Sequence, residues 1–105
     1  MILRAKDKLQ ICAIAARIFQ EPVEIWAYGS RVDGTAHDTS DLDLVVRTQD
    51  LTRLDIDEFI NFKAALMDSN IPILVQVMDW GRIPQSFHKN ILLAYEVLKP
   101  FDEKK

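Results

Sequence analysis

The chain has 105 residues, 49% hydrophobic and 28% charged, with a formal net charge of -3 at pH 7. That length has room for one hydrophobic core, so residues 1–105 read as a single domain. No apolar run is long enough to span a bilayer, and the acidic balance argues against a protein that grips long DNA or RNA through clustered Lys and Arg.

At the N-terminus, Met1 to Asp7 lacks a long apolar region followed by a small-residue cleavage site, so no secretory signal is expected and the expected location is cytoplasmic. Ile11, Ile14, Ala15 and Ile18 fall at helical spacing and predict an amphipathic helix from about Leu3 to Phe19 that stops before Pro22. Cys12, the only cysteine, excludes an internal disulfide and a multi-cysteine zinc site, and is expected as a buried thiol of this helix. Val23 to Tyr28 is apolar, β-branched and aromatic, reads as a buried strand, and stops at Gly29, where the backbone is free to turn. Leu42 to Val46 is the next apolar run. Leu54 to Asp68 predicts a second long helix with Ile56, Phe59, Ile60, Leu66 and Met67 on a broad apolar side and the Lys63 stem among them. Ile71 to Met78 predicts a third strand, and Pro84 opens a last helix in which Phe87, Ile91, Tyr95 and Leu98 form one stripe. Residues 102–105 are expected to be a disordered tail. His37 and His88 show no ligand spacing and are assigned surface or packing roles. This alternation predicts a small two-layer α/β (α+β) domain of about three strands flanked by helices, with its site at one sheet edge.

The chemistry concentrates between the first two strands. Ser30, just past Gly29, presents a hydroxyl and a backbone N–H at what would be the first turn of a short helix, where donors attract phosphate oxygens. Ten residues separate Ser30 from Asp41, and Asp41 and Asp43 open the second strand. Residues two apart in a strand share a face, so both carboxylates point one way while Leu42 and Leu44 point to the core. Two like charges side by side call for a cation, and carboxylate oxygens are ligands that Mg²⁺ uses when it also bridges substrate phosphates, with Mn²⁺ equally suited to oxygen. A turn residue followed by a solvated strand residue is the bland alternative for an isolated Asp-x-Asp, and the Gly-Ser spacing weighs against it.

Gly29-Ser30, ten residues and Asp41-Leu42-Asp43 after a strand resemble the signature of the DNA polymerase beta-like nucleotidyltransferase superfamily. The fuller text, Trp26-Ala27-Tyr28-Gly29-Ser30-Arg31 to Ser40-Asp41-Leu42-Asp43-Leu44, resembles its minimal (MNT) branch, and the likeness covers nearly the whole chain. The resemblance implies a nucleotidyltransferase fold with a mixed sheet. It also implies metal ligation by Asp41 and Asp43, nucleotide contacts from Gly29, Ser30, Arg31 and Ser40, and ATP as substrate. MNT proteins are often antitoxins paired with a HEPN-domain ribonuclease toxin, and some silence it by adenylylating a tyrosine. A HEPN-type toxin is therefore the implied partner, in an oligomer or hetero-complex.

One position departs from the family pattern. The third carboxylate of the superfamily, three residues before Asp79, is replaced by Gln76, which offers a neutral carbonyl oxygen where the metal that activates the attacking hydroxyl is usually held. Asp79 itself is expected on the opposite face, with Val75 and Val77. Two readings follow: a metal-dependent transferase that moves an NMP, here AMP from ATP, onto a partner's hydroxyl, with Gln76 in the third catalytic place; or a weak or inactive domain that neutralises the toxin by binding it. In the second reading Trp80, Ile83 and Phe87 form the partner surface, unless they are core. Small-molecule nucleotidylation is a weaker third reading, because the chain lacks the extra domain of such enzymes.

Overall fold

Side chains that alternate between two faces of a sheet decide what each helix covers. The computed structural model describes residues 3–34 and 41–101. The chain runs α1 (Ala5–Ile18), β1 (Val23–Tyr28), α2 (Ser30–Asp33), β2 (Leu42–Thr48), α3 (Ile56–Met67), β3 (Val75–Asp79), a 3-10 turn (Trp80–Arg82), α4 (Gln85–Leu93) and β4 (Tyr95–Lys99). The strands lie in the order β3-β2-β1-β4, with β1 antiparallel to both β2 and β4, and β2 parallel to β3. The parallel pair is joined through α3, the crossover that such a pair needs. The sheet is mixed, as the resemblance implied, with four strands in place of about three.

One face carries Val23, Ile25 and Ala27 from β1, Leu42, Leu44 and Val46 from β2, and Val77 from β3. These meet Ile11, Ile14 and Ala15 of α1 and Phe62 and Leu66 of α3, with the Phe19 and Phe62 rings 5.0 Å apart. Ile11, Ile25, Leu42, Leu44 and Phe62 are fully buried, each contributing about 1.5–3 kcal/mol of transfer free energy. The Cys12 thiol is half-buried on α1 with Sγ 3.7 Å from the Leu98 carbonyl oxygen, and burial raises its pKa. The opposite face holds a smaller apolar group of Trp26, Val45, Trp80 and Ile91, with Tyr28, Ile83 and Phe87 against it. Trp80 is therefore core, not the exposed partner surface considered above, and Ile83 and Phe87 are partly buried beside it. His88 also packs here, its ring stacked 3.9 Å from that of Trp80.

The C-terminal helix ends earlier than its apolar stripe suggests. Phe87 and Ile91 belong to α4, but Tyr95 and Leu98 lie in β4, which pairs with β1 through Tyr28↔Tyr95 and Trp26↔Val97. Spacings of four and three residues fit a helix, but the open edge of β1 supplies hydrogen bonds to an extended segment, and Tyr95 stacks on Trp26 at 4.1 Å. The third strand starts later than expected, at Val75, after an irregular stretch that contains Pro72. α3 begins at Ile56, where the Asp55 side chain caps the helix by accepting from the Glu58 N–H. The expectations for His37, Ser40 and the 102–105 tail fall outside the described residues.

Asp79 ties the end of β3 to the loop before α3. It is 2% exposed; one carboxylate oxygen accepts from the Leu54 N–H at 3.0 Å and pairs with Arg82 Nη1, and the other accepts from the Gly81 N–H at 3.0 Å. Gly81 lets this turn close, since a Cβ there would sit 2.5 Å from backbone atoms of Thr52 and Arg53. Asp79→Ala strands two buried donors and a guanidinium, and is expected to lower stability by about 3 kcal/mol in urea titration, with Asp79→Asn losing less.

Candidate functional site

The site is assembled at the ends of β1, β2 and β3 by their register. Tyr28, the last residue of β1, lies opposite Asp43 of β2, and Asp43 lies beside Gln76 of β3. Asp43 and Gln76 thus project from one face, opposite Leu42, Leu44 and Val77, which fill the main core. Asp41, two residues before Asp43, joins them, and the Gln76 side-chain amide donates to Asp41 Oδ2 at 2.8 Å. Strand parity read from the sequence put the two aspartates on one face, and the family resemblance put Gln76 with them; the register brings the three together. Asp79 lies on the other face with both carboxylate oxygens engaged, as parity predicted, and takes no part in this group.

Gly29 closes the site on the β1 side. Its φ of 82° is open to glycine at little cost, and a Cβ at this position would sit 2.6 Å from Asp43 Oδ2. The turn can approach the carboxylate this closely only because residue 29 has no side chain. Ser30 opens the short helix α2, whose first turn is closed by the Val32 N–H donating to the Gly29 carbonyl at 3.0 Å. The Ser30 hydroxyl lies outside the described structure. Arg31, on α2 just past the turn, is 4% exposed.

Charge is unbalanced here. Burial, and then the neighbouring Asp41, raise the pKa of Asp43 above the ordinary carboxylate range. Burial, reinforced by Asp43, pushes the Tyr28 hydroxyl up to about 12, so the phenol stays protonated. Both shifts come first from burial, with a neighbouring carboxylate as the smaller cause. Among the described residues no three His, Cys, Asp or Glu side chains gather as a metal site, because the third place is taken by an amide that donates to Asp41. Asp41 and Asp43 are the two carboxylates here that could hold a divalent cation, whose charge would offset theirs.

A hollow of about 280 Å³ adjoins the turn, lined by Tyr28 and Gly29 on one side and by Phe87, Asn90, Leu93 and Ala94 on the other. Sequence reasoning did not single out Asn90 or this use of Tyr28. A strand-ending aromatic next to Gly29 was a usable signal for Tyr28; Asn90 had none, since α4 reaches the site only through tertiary packing.

Comparison with known proteins agrees with the geometry. The family model described as "Polymerase beta, Nucleotidyltransferase" matches residues 10–104. A protein of Haemophilus influenzae named "Probable protein adenylyltransferase MntA" is 34% identical over 95 residues, covering 88% of this chain and 82% of its own length. A solved structure described as "Crystal structure of the toxin-antitoxin with AMP-PNP" superposes with a TM-score of 0.66 at 20% identity, covering 88% of this chain and 72% of that one, and supports the fold. No helix among the described residues is long and apolar enough to cross a membrane. With a matching family model over most of its length, a relative at this identity, and the glycine turn set against paired aspartates at the strand ends, the chain belongs to the polymerase beta nucleotidyltransferase family, in its minimal branch.

Proposed function

We propose that this protein is a protein adenylyltransferase that acts as an antitoxin in the cytoplasm, moving AMP from ATP onto a hydroxyl of a HEPN-type ribonuclease toxin. The observation that carries the reading is the close approach of the Gly29 turn to Asp43, where a side chain on residue 29 would overlap the carboxylate. The relative named as a protein adenylyltransferase, and the toxin-antitoxin complex with AMP-PNP that shares the fold, support AMP transfer and a toxin partner.

In this reaction the acceptor oxygen attacks the α-phosphorus, the bond from that phosphorus to the bridging oxygen of the β-phosphate breaks, and pyrophosphate leaves. Mg²⁺, or Mn²⁺, held by Asp41 and Asp43 when bound, supplies charge neutralisation for the triphosphate. Gly29 allows the phosphates to approach the backbone, and the Ser30 N–H stands at the start of α2. Gln76 orients Asp41 by its hydrogen bond but accepts no proton, so the acceptor's proton passes to solvent or to a base on the partner.

The Gln76 amide on Asp41 also favours a second reading, in which the domain silences its partner by binding with little or no transfer. Intact mass spectrometry of the HEPN-type partner after incubation with this protein, ATP and Mg²⁺ separates the two. The expected result is a gain of one or more AMP groups, lost with Asp43→Asn; an unmodified partner that is still bound and silenced would establish the second reading instead. Asp41→Asn and Asp43→Asn are each expected to remove Mg²⁺-dependent ATP binding in calorimetry, and unchanged affinity in both would move the site elsewhere. Gln76→Asp restores a third carboxylate and is expected to raise the transfer rate on the order of tenfold at saturating Mg²⁺. A variant no faster than wild type would mean that proton removal is not limiting.

A further inference from the structure

The hollow beside Gly29 is separate from the carboxylates, and its walls are of a different kind. Tyr28 and Phe87 meet edge to face, ring centres 5.8 Å apart, and Leu93 and Ala94 add apolar surface, while Asn90 brings an amide with no side-chain hydrogen bond among the described residues. At about 280 Å³ it approaches the lower end of ordinary small-molecule sites. Aromatic and aliphatic walls with one bifunctional polar group suit a flat heterocycle that is apolar on its faces and polar at its edge. The hollow shares Gly29 with the phosphate turn, so a ligand anchored there by its phosphates can lay its other end in this space.

We infer that this hollow receives the nucleobase and that Asn90 is a specificity-determining residue that selects adenine. This inference rests on the nucleotidyltransferase reading of the same site. An Asn amide offers a donor and an acceptor side by side, which match the N7 acceptor and N6 donor of adenine. Guanine presents two acceptors, N7 and O6, along that edge, so the Asn carbonyl would face an acceptor oxygen. Leu93, 82% exposed, lies at the mouth, where a bound base would cover part of it.

The test measures binding of the α,β-methylene analogues of ATP, GTP and CTP, and of inorganic tripolyphosphate, to the whole protein in Mg²⁺ buffer. Wild type is expected to prefer the ATP analogue over the GTP analogue on the order of tenfold, and Asn90→Leu to erase most of that preference while leaving tripolyphosphate affinity unchanged. Asn90 is exposed on α4, so the substitution leaves the core intact. Ala94→Leu, which fills the hollow, is expected to weaken all three nucleotides but not tripolyphosphate. If wild type binds tripolyphosphate and nucleotides while both variants bind every nucleotide like wild type, the base lies elsewhere and the inference fails alone. If wild type binds no triphosphate at all, the functional reading fails and takes this inference with it.

Discussion

The pairing of Tyr28 with Asp43 across β1 and β2 is the constraint on which the site depends, because it brings the strand-ending turn against a carboxylate with no atom to spare. A Cβ on residue 29 would overlap the Asp43 carboxylate, and the positive φ there would strain any L side chain. Register, turn and carboxylate are thus one device. Sliding β1 by one residue would send Tyr28 and Trp26 toward the main core and Ala27 to the other face, which a sheet with both faces occupied does not tolerate.

The same two-residue period divides the acidic residues of the chain by task. Asp43 and Gln76 share the open face, while Asp79, three positions beyond Gln76, turns into the protein and binds the loop before α3. A buried carboxylate that satisfies two backbone N–H groups and a guanidinium is fully committed to structure. The group therefore keeps two carboxylates, and the hydrogen bond from Gln76 takes up acceptor capacity of Asp41. Reduced charge at the third position follows from the identity of residue 76 and from the commitment of Asp79 to its own partners.

The sheet face that carries the site is stabilised differently from the main core. Arg47 pairs with Glu24 directly across the strands, and its guanidinium lies 4.0 Å from the Trp26 ring centre and 4.5 Å from that of Trp80. Tyr95 stacks on the first of these rings and His88 on the second, with the His88 Nε2 2.7 Å from the Trp80 carbonyl oxygen. Each partly desolvated cation–π contact is worth about 0.5–2 kcal/mol, so this stack links β1, β2, β4, the 3-10 turn and α4 with a handful of side chains. It also positions α4, and through α4 the wall of the hollow that faces Gly29.

Strand alternation, the glycine turn and the spacing to Asp41 and Asp43 are local features, so the sequence by itself determined the main elements, the shared face of the two aspartates, and the placing of Asp79 on the face opposite Gln76; the β2–β3 register decided that Gln76 lies beside Asp43. The burial of Arg31 was not legible in the sequence, because burial depends on what folds over a side chain, which no local spacing encodes. The C-terminal stripe was ambiguous for a related reason: Phe87, Ile91, Tyr95 and Leu98 satisfy a helical period, and only the unpaired edge of β1 makes an extended β4 the better hydrogen-bonded state for the last two. Tertiary structure alone decided that edge, the Trp–Arg–Trp stack and the approach of Asn90 to Gly29, because each joins residues distant in sequence whose meeting depends on how the helices settle on the sheet.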